Sequence, residues 1–187
     1  MTLRKSLPWI AATLLVAIAV HFASMWYLPR LVMDGALAKM GAANAIHYGT
    51  RVDAGARAVV RPSPDLLYST CPFDLSKGPL RVRAAVPPNT YWSVSAFDDA
   101  TDNFFVENDR QAKGGAVDFL IVAQGSHPIA GGLPVVVSPS TRGLVLFRTL
   151  IDDEKNFAAL DAARRQAACS TFHASIPDAS ARKPPSP

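Results

Sequence analysis

At 187 residues the chain has room for one domain and not two, once an apolar N-terminal stretch and a polar tail are set aside. Its formal net charge of +4 invites an anionic partner only until the charges are located: Arg4, Lys5 and Arg30 flank the apolar stretch, Arg182 and Lys183 lie in the tail, and the residues between are formally neutral. With no cluster of Lys and Arg in the domain, the electrostatic footprint of nucleic-acid binding is missing and no nucleic-acid partner is expected.

Residues 7–28 are apolar apart from His21, and about 22 residues rising 1.5 Å each cross a hydrocarbon core of about 30 Å. Arg4 and Lys5 precede the stretch, while Arg30 is followed by the offsetting pair Asp34 and Lys39. The positive-inside rule then predicts a single-pass protein of the bacterial inner membrane, with residues 1–6 cytoplasmic and the C-terminal domain periplasmic. Trp9 at one end and Trp26 with Tyr27 at the other suit the two headgroup levels, and His21, past the middle, reaches toward the interface. A cleaved signal peptide is the competing reading, since Ala17-Ile18-Ala19 has a small-x-small form. The apolar run nevertheless continues through Val20, Phe22, Met25 and Leu28, beyond the 7–15 residues of a signal core, so an uncleaved signal-anchor is expected.

Residues 29–59 read as a juxtamembrane helix and linker: residues 31–46 are apolar and Ala-rich, and Pro29 is expected to kink or restart the helix. Short β-like runs then follow at residues 65–75, 80–84, 90–97, 103–107, 117–123, 134–137 and 143–151, separated by Pro, Gly, Asn and Asp. About seven strands at this spacing predict a mainly β domain over residues 60–176, an antiparallel β-sandwich. One helix is expected at residues 153–168, with Asp152 or Asp153 as N-cap and Arg164 and Arg165 in its last turn. The tail, residues 177–187, is dominated by Pro, Ser and Ala with Arg182 and Lys183 and reads as disordered.

No G-x-S-x-G elbow, H-E-x-x-H, Walker loop or dinucleotide-binding glycine fingerprint is present, and no metal or cofactor is expected. Ser126 and His127 are neighbours between Gly125 and Pro128 and read as a turn; adjacent residues on an extended chain point to opposite faces. Asp98, Asp99, Asp102, Asn103, Glu107 and Asp109 are oxygen donors that suit calcium, but without EF-hand spacing they read as a self-bonded polar loop. Cys71 and Cys169 fall in the exported part, where a disulfide persists; a single intramolecular pairing exists, with two buried thiols or a link between chains as alternatives. Arg148 lies on a run apolar on both faces and should meet a carboxylate, Asp65, Asp74 or Asp98, or else bind an anion.

Four segments occur in order: Arg61-Pro-Ser-Pro-Asp-Leu-Leu-Tyr-Ser69, Phe73-Asp-Leu-Ser-Lys-Gly-Pro79, Tyr91-Trp-Ser-Val-Ser95 with Thr101-Asp-Asn-Phe104, and Ser140-Thr-Arg-Gly-Leu-Val-Leu146. Over about residues 60–168 the chain thereby resembles the bacterial domain of unknown function 1254. The resemblance implies a β-sandwich. Larger members carry it ahead of a second domain, the domain of unknown function 1214, and this chain ends where that domain would begin. It therefore resembles the short, membrane-anchored members, whose companion would be a separate protein. Larger members read Asn-Arg-Asp-Thr-Leu-Tyr-Ser where this chain has residues 61–69, which removes any contact made through that Asn or Thr. No catalytic residue comes with the resemblance. Two functions are carried forward: a non-catalytic binding module of the cell envelope, and an enzyme or small-ligand binder using Arg61, Asp65, Tyr68, Asp102, Asn103 and Arg142. Convergence of those six side chains at one concave site decides between them.

Overall fold

The computed structural model describes residues 3–53, 55, 62–126 and 131–173; Arg61, His127 and the tail 177–187 lie outside the described residues. The chain opens with α1 (Leu3–Met40), 38 residues without a break. It contains an 18-residue window of mean hydropathy 1.9, none of it buried, so the helix is long and apolar enough to cross a membrane. The helix does not restart at Pro29 but runs on through it. Proline there forfeits the hydrogen bond to the Met25 carbonyl. One position on, Arg30 donates from Nη1 to the Trp26 carbonyl at 2.7 Å and lays its guanidinium over the Trp26 ring, 4.3 Å from the centroid. The helix stops at Met40, short of residue 46, because Gly41 turns left-handed at φ +94°, and a Cβ at that position would run into the His47 ring.

Two sheets follow. In the first, β1 (His47–Tyr48), β2 (Leu66–Asp74), β8 (Arg142–Leu150), β4 (Trp92–Phe97) and β5 (Asn103–Asn108) lie side by side in that order, all antiparallel. The second has the order β7 (Val135–Ser138), β6 (Ala116–Ala123), β3 (Leu80–Ala85) and β9 (Ala168–Thr171). Its β6 and β7 are parallel, so the sandwich is mixed where a wholly antiparallel one was expected. All seven expected strands are present, and β1 and β9 add two. The last helix is shorter than expected: a 3-10 turn, Glu154–Asn156, is capped by the Asp153 carboxylate accepting from the Lys155 amide, and α2 runs only Phe157–Arg164. Residues 165–167, read as its last turn, leave the helix, and Ala168 opens β9, where pairing with β3 and the bond at Cys169 outweigh local helix preference.

Alternation along the strands sends Phe73, Leu80, Val82, Val94, Ala96, Phe119, Ile121, Val145 and Phe147 into the space between the sheets. One side of the sandwich is closed. A disulfide joins Cys71 on β2 to Cys169 on β9, with Cα atoms 6.5 Å apart, and the Tyr48 hydroxyl reaches the carbonyls of Arg165 (3.0 Å) and Ala167 (2.9 Å). The opposite side is open, since β5 and β7 each have a single neighbour. Between them a groove of about 300 Å³ is floored by Phe105, Val117, Phe119 and Val136.

The C-terminal turns of α1 dock against β2 and β8. Arg30, Met33, Leu37 and Met40, spaced for one helical face, are half-buried or buried, while the span before them is exposed. Asp34 pairs with Arg142 at 2.9 Å and Arg30 approaches Asp99 at 4.0 Å. Beyond Gly41, the Asn44 side chain accepts from the Asp74 amide (2.8 Å) and donates to the Asp74 carbonyl and the Thr171 hydroxyl (both 3.0 Å), tying the helix exit to both sheets.

Candidate functional site

The described members of the six-residue polar cluster do not converge. Asp65 and Tyr68 stand at one end of β2: Asp65 is exposed in a turn, and the Tyr68 hydroxyl accepts from the Ser63 amide at 2.9 Å. Asp102, Asn103 and Arg142 stand at the other end, where all three are exposed; Arg142 is engaged by Asp34 and the Asp102 amide by the Asp98 carboxylate at 2.8 Å. Arg142 lies opposite Asp74, so β2 keeps it about 20 Å from Tyr68 and about 30 Å from Asp65 at 3.3 Å per residue. Arg61 lies outside the described residues.

Arg148 is the more informative residue. The register sets it between Tyr68 on β2 and Ser93 on β4, on the outer face of the first sheet. The expected ion pair is absent: among the described residues no carboxylate lies within salt-bridge distance of Arg148. Asp65 faces solvent in its turn, Asp74 accepts from the Ser76 amide and hydroxyl, and Asp98 caps its own loop through the Ala100 and Asp102 amides. Nη2 donates to the Ser95 hydroxyl at 3.2 Å, and the buried Nε has no partner. Ser93 and Ser95, each 1% exposed, sit beside it, and the Tyr91 hydroxyl donates to Ser93 Oγ at 2.9 Å. The half-buried guanidinium has Nη2 on Ser95 and Nε occluded, so a carboxylate or another anion would meet it at the Nη edge. The neighbouring serines carried a signal in the sequence, as small hydroxyls alternating with Trp92, Val94 and Ala96, but register alone brings them beside Arg148.

At the same end of the sandwich a cavity of about 710 Å³ opens between the Pro87–Pro88 turn and the turn after β5, lined by Tyr91, Asn108, Asp109, Arg110 and Asp152 among others. No Ser, Cys or His lines it, and its Thr90 hydroxyl is engaged by the Leu150 carbonyl at 2.9 Å. It therefore offers no Ser–His or Cys–His pair. The carboxylates displaced from their ordinary range all move down. The side-chain hydrogen bond from Ser76 lowers Asp74, that from Arg81 lowers Asp118, that from Asn156 lowers Asp152, that from Arg51 lowers Glu154, and that from Arg165 lowers Asp161. These are structural anions held ionised, whereas a general acid needs the opposite shift. Among the described residues no three of His, Cys, Asp and Glu come together to hold a metal ion.

Residues 42–171 match the family model described as a protein of unknown function, DUF1254. Among solved structures, the chain is similar to the VPA0106 protein from Vibrio parahaemolyticus, at 15% identity and a TM-score of 0.55, covering 63% of this chain and 33% of that one. It is also similar to an uncharacterized protein from Burkholderia cenocepacia, at 18% identity and a TM-score of 0.48, covering 80% of this chain and 41% of that one. The Vibrio likeness is one of fold, and this chain spans a third of that protein's length. No curated protein matches the chain.

Proposed function

The chain belongs to the DUF1254 family of proteins of unknown function, and from that premise we propose that it is a binding module of the cell envelope. In this reading α1 is an uncleaved anchor in the bacterial inner membrane, its N-terminus cytoplasmic, and the periplasmic sandwich works by contact with a separate exported protein, a companion of the domain 1214 kind. The observation that carries the proposal is Arg148, a half-buried guanidinium on an outer sheet face with no carboxylate of its own among the described residues. A group left in this state is costly alone and becomes favourable when a partner supplies the anion. The Cys71–Cys169 bond supports export, since such bonds persist in oxidising compartments. Arg4 and Lys5 ahead of the span support the orientation. The ligand-binding alternative loses its support with the separation of its polar residues along β2.

Cross-linking in intact cells followed by mass spectrometry tests the reading. One exported partner should be recovered with the natural chain and lost with Arg148→Met, while both chains accumulate in the membrane fraction at full length. A reporter active only outside the cytoplasm, fused after Pro187, should be active. Recovery of the chain only as a monomer, or of a soluble form shortened by the apolar stretch, refutes it.

A further inference from the structure

We infer that the open side of the sandwich, the free edges of β5 and β7 with Val106, Val135 and Val137, rests on the lipid surface of the bilayer that α1 spans; this rests on the anchor reading above. The ground is the order in which α1 meets the first sheet. Just past the helix, Asn44 bonds the end of β2; Asp34 pairs with Arg142, the first residue of β8; Arg30 approaches Asp99, two residues past β4. Toward the N-terminus, each contact moves one strand closer to β5. Four helical residues separate Arg30 from Asp34, about 6 Å of rise, against about 4.8 Å between strands. The helix axis therefore runs across the sheet from β2 toward β5. One further strand spacing is about three residues of helix, which sets β5 level with Trp26 and Tyr27, the rings that suit the headgroup layer.

The second sheet reaches further. Phe105 on β5 stacks on Phe119 of β6 with centroids 4.8 Å apart, so β6 lies over β5, and β7, on the far side of β6, overhangs the edge. The apolar surface is concentrated there. Of the four large apolar side chains exposed outside α1 among the described residues, three are Val106 (52%), Val135 (45%) and Val137 (55%), and the fourth is Tyr91. Charges along this side are mixed, with Asp102, Glu107, Arg110 and Lys113. Contact therefore comes from shallow apolar insertion and from edge amides donating to headgroup oxygens, with little dependence on anionic lipid or salt. A membrane surface also answers the exposed-edge problem, since an edge laid on lipid is unavailable for pairing with another chain.

The test uses the full-length protein in phosphatidylcholine vesicles, with a fluorophore on a single introduced cysteine, the two native ones being bonded to each other. Labels go at Leu14→Cys in the span, Val106→Cys and Val137→Cys on the open side, and Ser170→Cys on β9 at the closed side. Quenching by lipids bearing a nitroxide in the headgroup should be about threefold or more stronger at residues 106 and 137 than at 170, and unchanged by added salt. Lipids with a deep nitroxide should quench residue 14. Residue 14 quenched, with 106 and 137 no more quenched than 170, overturns the inference while leaving the anchor intact. Cross-links between copies through Val106→Cys would overturn it too, in favour of a second chain on the edge. A residue 14 beyond reach of the deep quencher removes the anchor reading and this inference with it.

Discussion

Removing the bond between Cys71 and Cys169 should cost the sandwich a large share of its stability. The two cysteines are 98 residues apart, and cross-linking a loop of about 100 residues contributes about 4.7 kcal/mol at 25 °C in the chain-entropy model. Both side chains are buried, Cys71 completely, so reduction leaves the packing filled and isolates the entropic effect. The Cys71→Ala, Cys169→Ala double variant adds a small cavity to the same loss. With a urea slope of about 1–3 kcal/mol/M, either treatment should lower the unfolding midpoint by about 1.5–4.5 M. The assay is urea unfolding of the full chain in detergent micelles, followed by Trp92 fluorescence with Trp9 and Trp26 replaced by Phe. Trp92 is 2% exposed in the core and reports on the sandwich alone. A midpoint shift below about 0.5 M would refute the entropic reasoning, and two reactive thiols in the unfolded, unreduced chain would refute the bond.

Gly143→Ala should destabilise by about 1–3 kcal/mol in the same assay, because a Cβ there would press on the Phe97 carbonyl and the Phe73 ring in mid-sheet. Arg164→Ala should cost about 2–4 kcal/mol, for the buried guanidinium donates to the carbonyls of Gly49 (2.9 Å) and Tyr68 (2.7 Å) as well as to Asp161. Hydrogen bonds from Arg165 and Arg164 hold the Asp161 carboxyl below its ordinary value. Its stabilisation is therefore complete above an unfolded pKa of about 3.9 and is lost as pH falls through the lower folded value; Asp161→Asn should flatten the acid limb of the stability profile, and an unchanged limb would count against the assignment. Arg148→Met should leave stability unchanged or raise it by up to about 1 kcal/mol, since no ion pair is lost and an unsatisfied donor is removed; a marked loss would show that Arg148 serves the fold.

The seven expected strands were legible because alternation and turn residues both mark them. The two-residue β1 has no pattern to read, and β9 follows an Ala-rich helix whose composition masks it; only pairing across the sandwich makes Ala168–Thr171 extended. Pro29 does not end the helix, for a proline rule describes the backbone bond lost and not the Arg30 side chain that engages the adjoining carbonyl. At the candidate site, residue types were legible and distances were not. Asp65, Tyr68, Asp102, Asn103 and Arg142 read as one polar set, yet β2 and β8 run antiparallel and hold its members at opposite ends. Arg148 was recognisable as a misfit from its apolar neighbours, but which carboxylates were free depended on loop bonds: Asp98 is consumed by its own turn, and Asp74 by Ser76.

In the anchored reading, the unbroken course of α1 through Pro29 into its docked turns makes span and sandwich one lever. A flexible linker would let the domain ignore the angle of its anchor; here the clamp of Met33, Asp34 with Arg142, and Asn44 passes that angle on. Spanning helices tilt by about 20° on average, and more where the bilayer is thin for their length. Over the width of the five-stranded sheet, about 19 Å at 4.8 Å per strand, a 20° tilt displaces the far edge by about 6–7 Å. With the width of the sheet along the helix axis that displacement is sideways, so in the anchored reading local bilayer thickness would set how far the Arg148 face leans from the membrane normal.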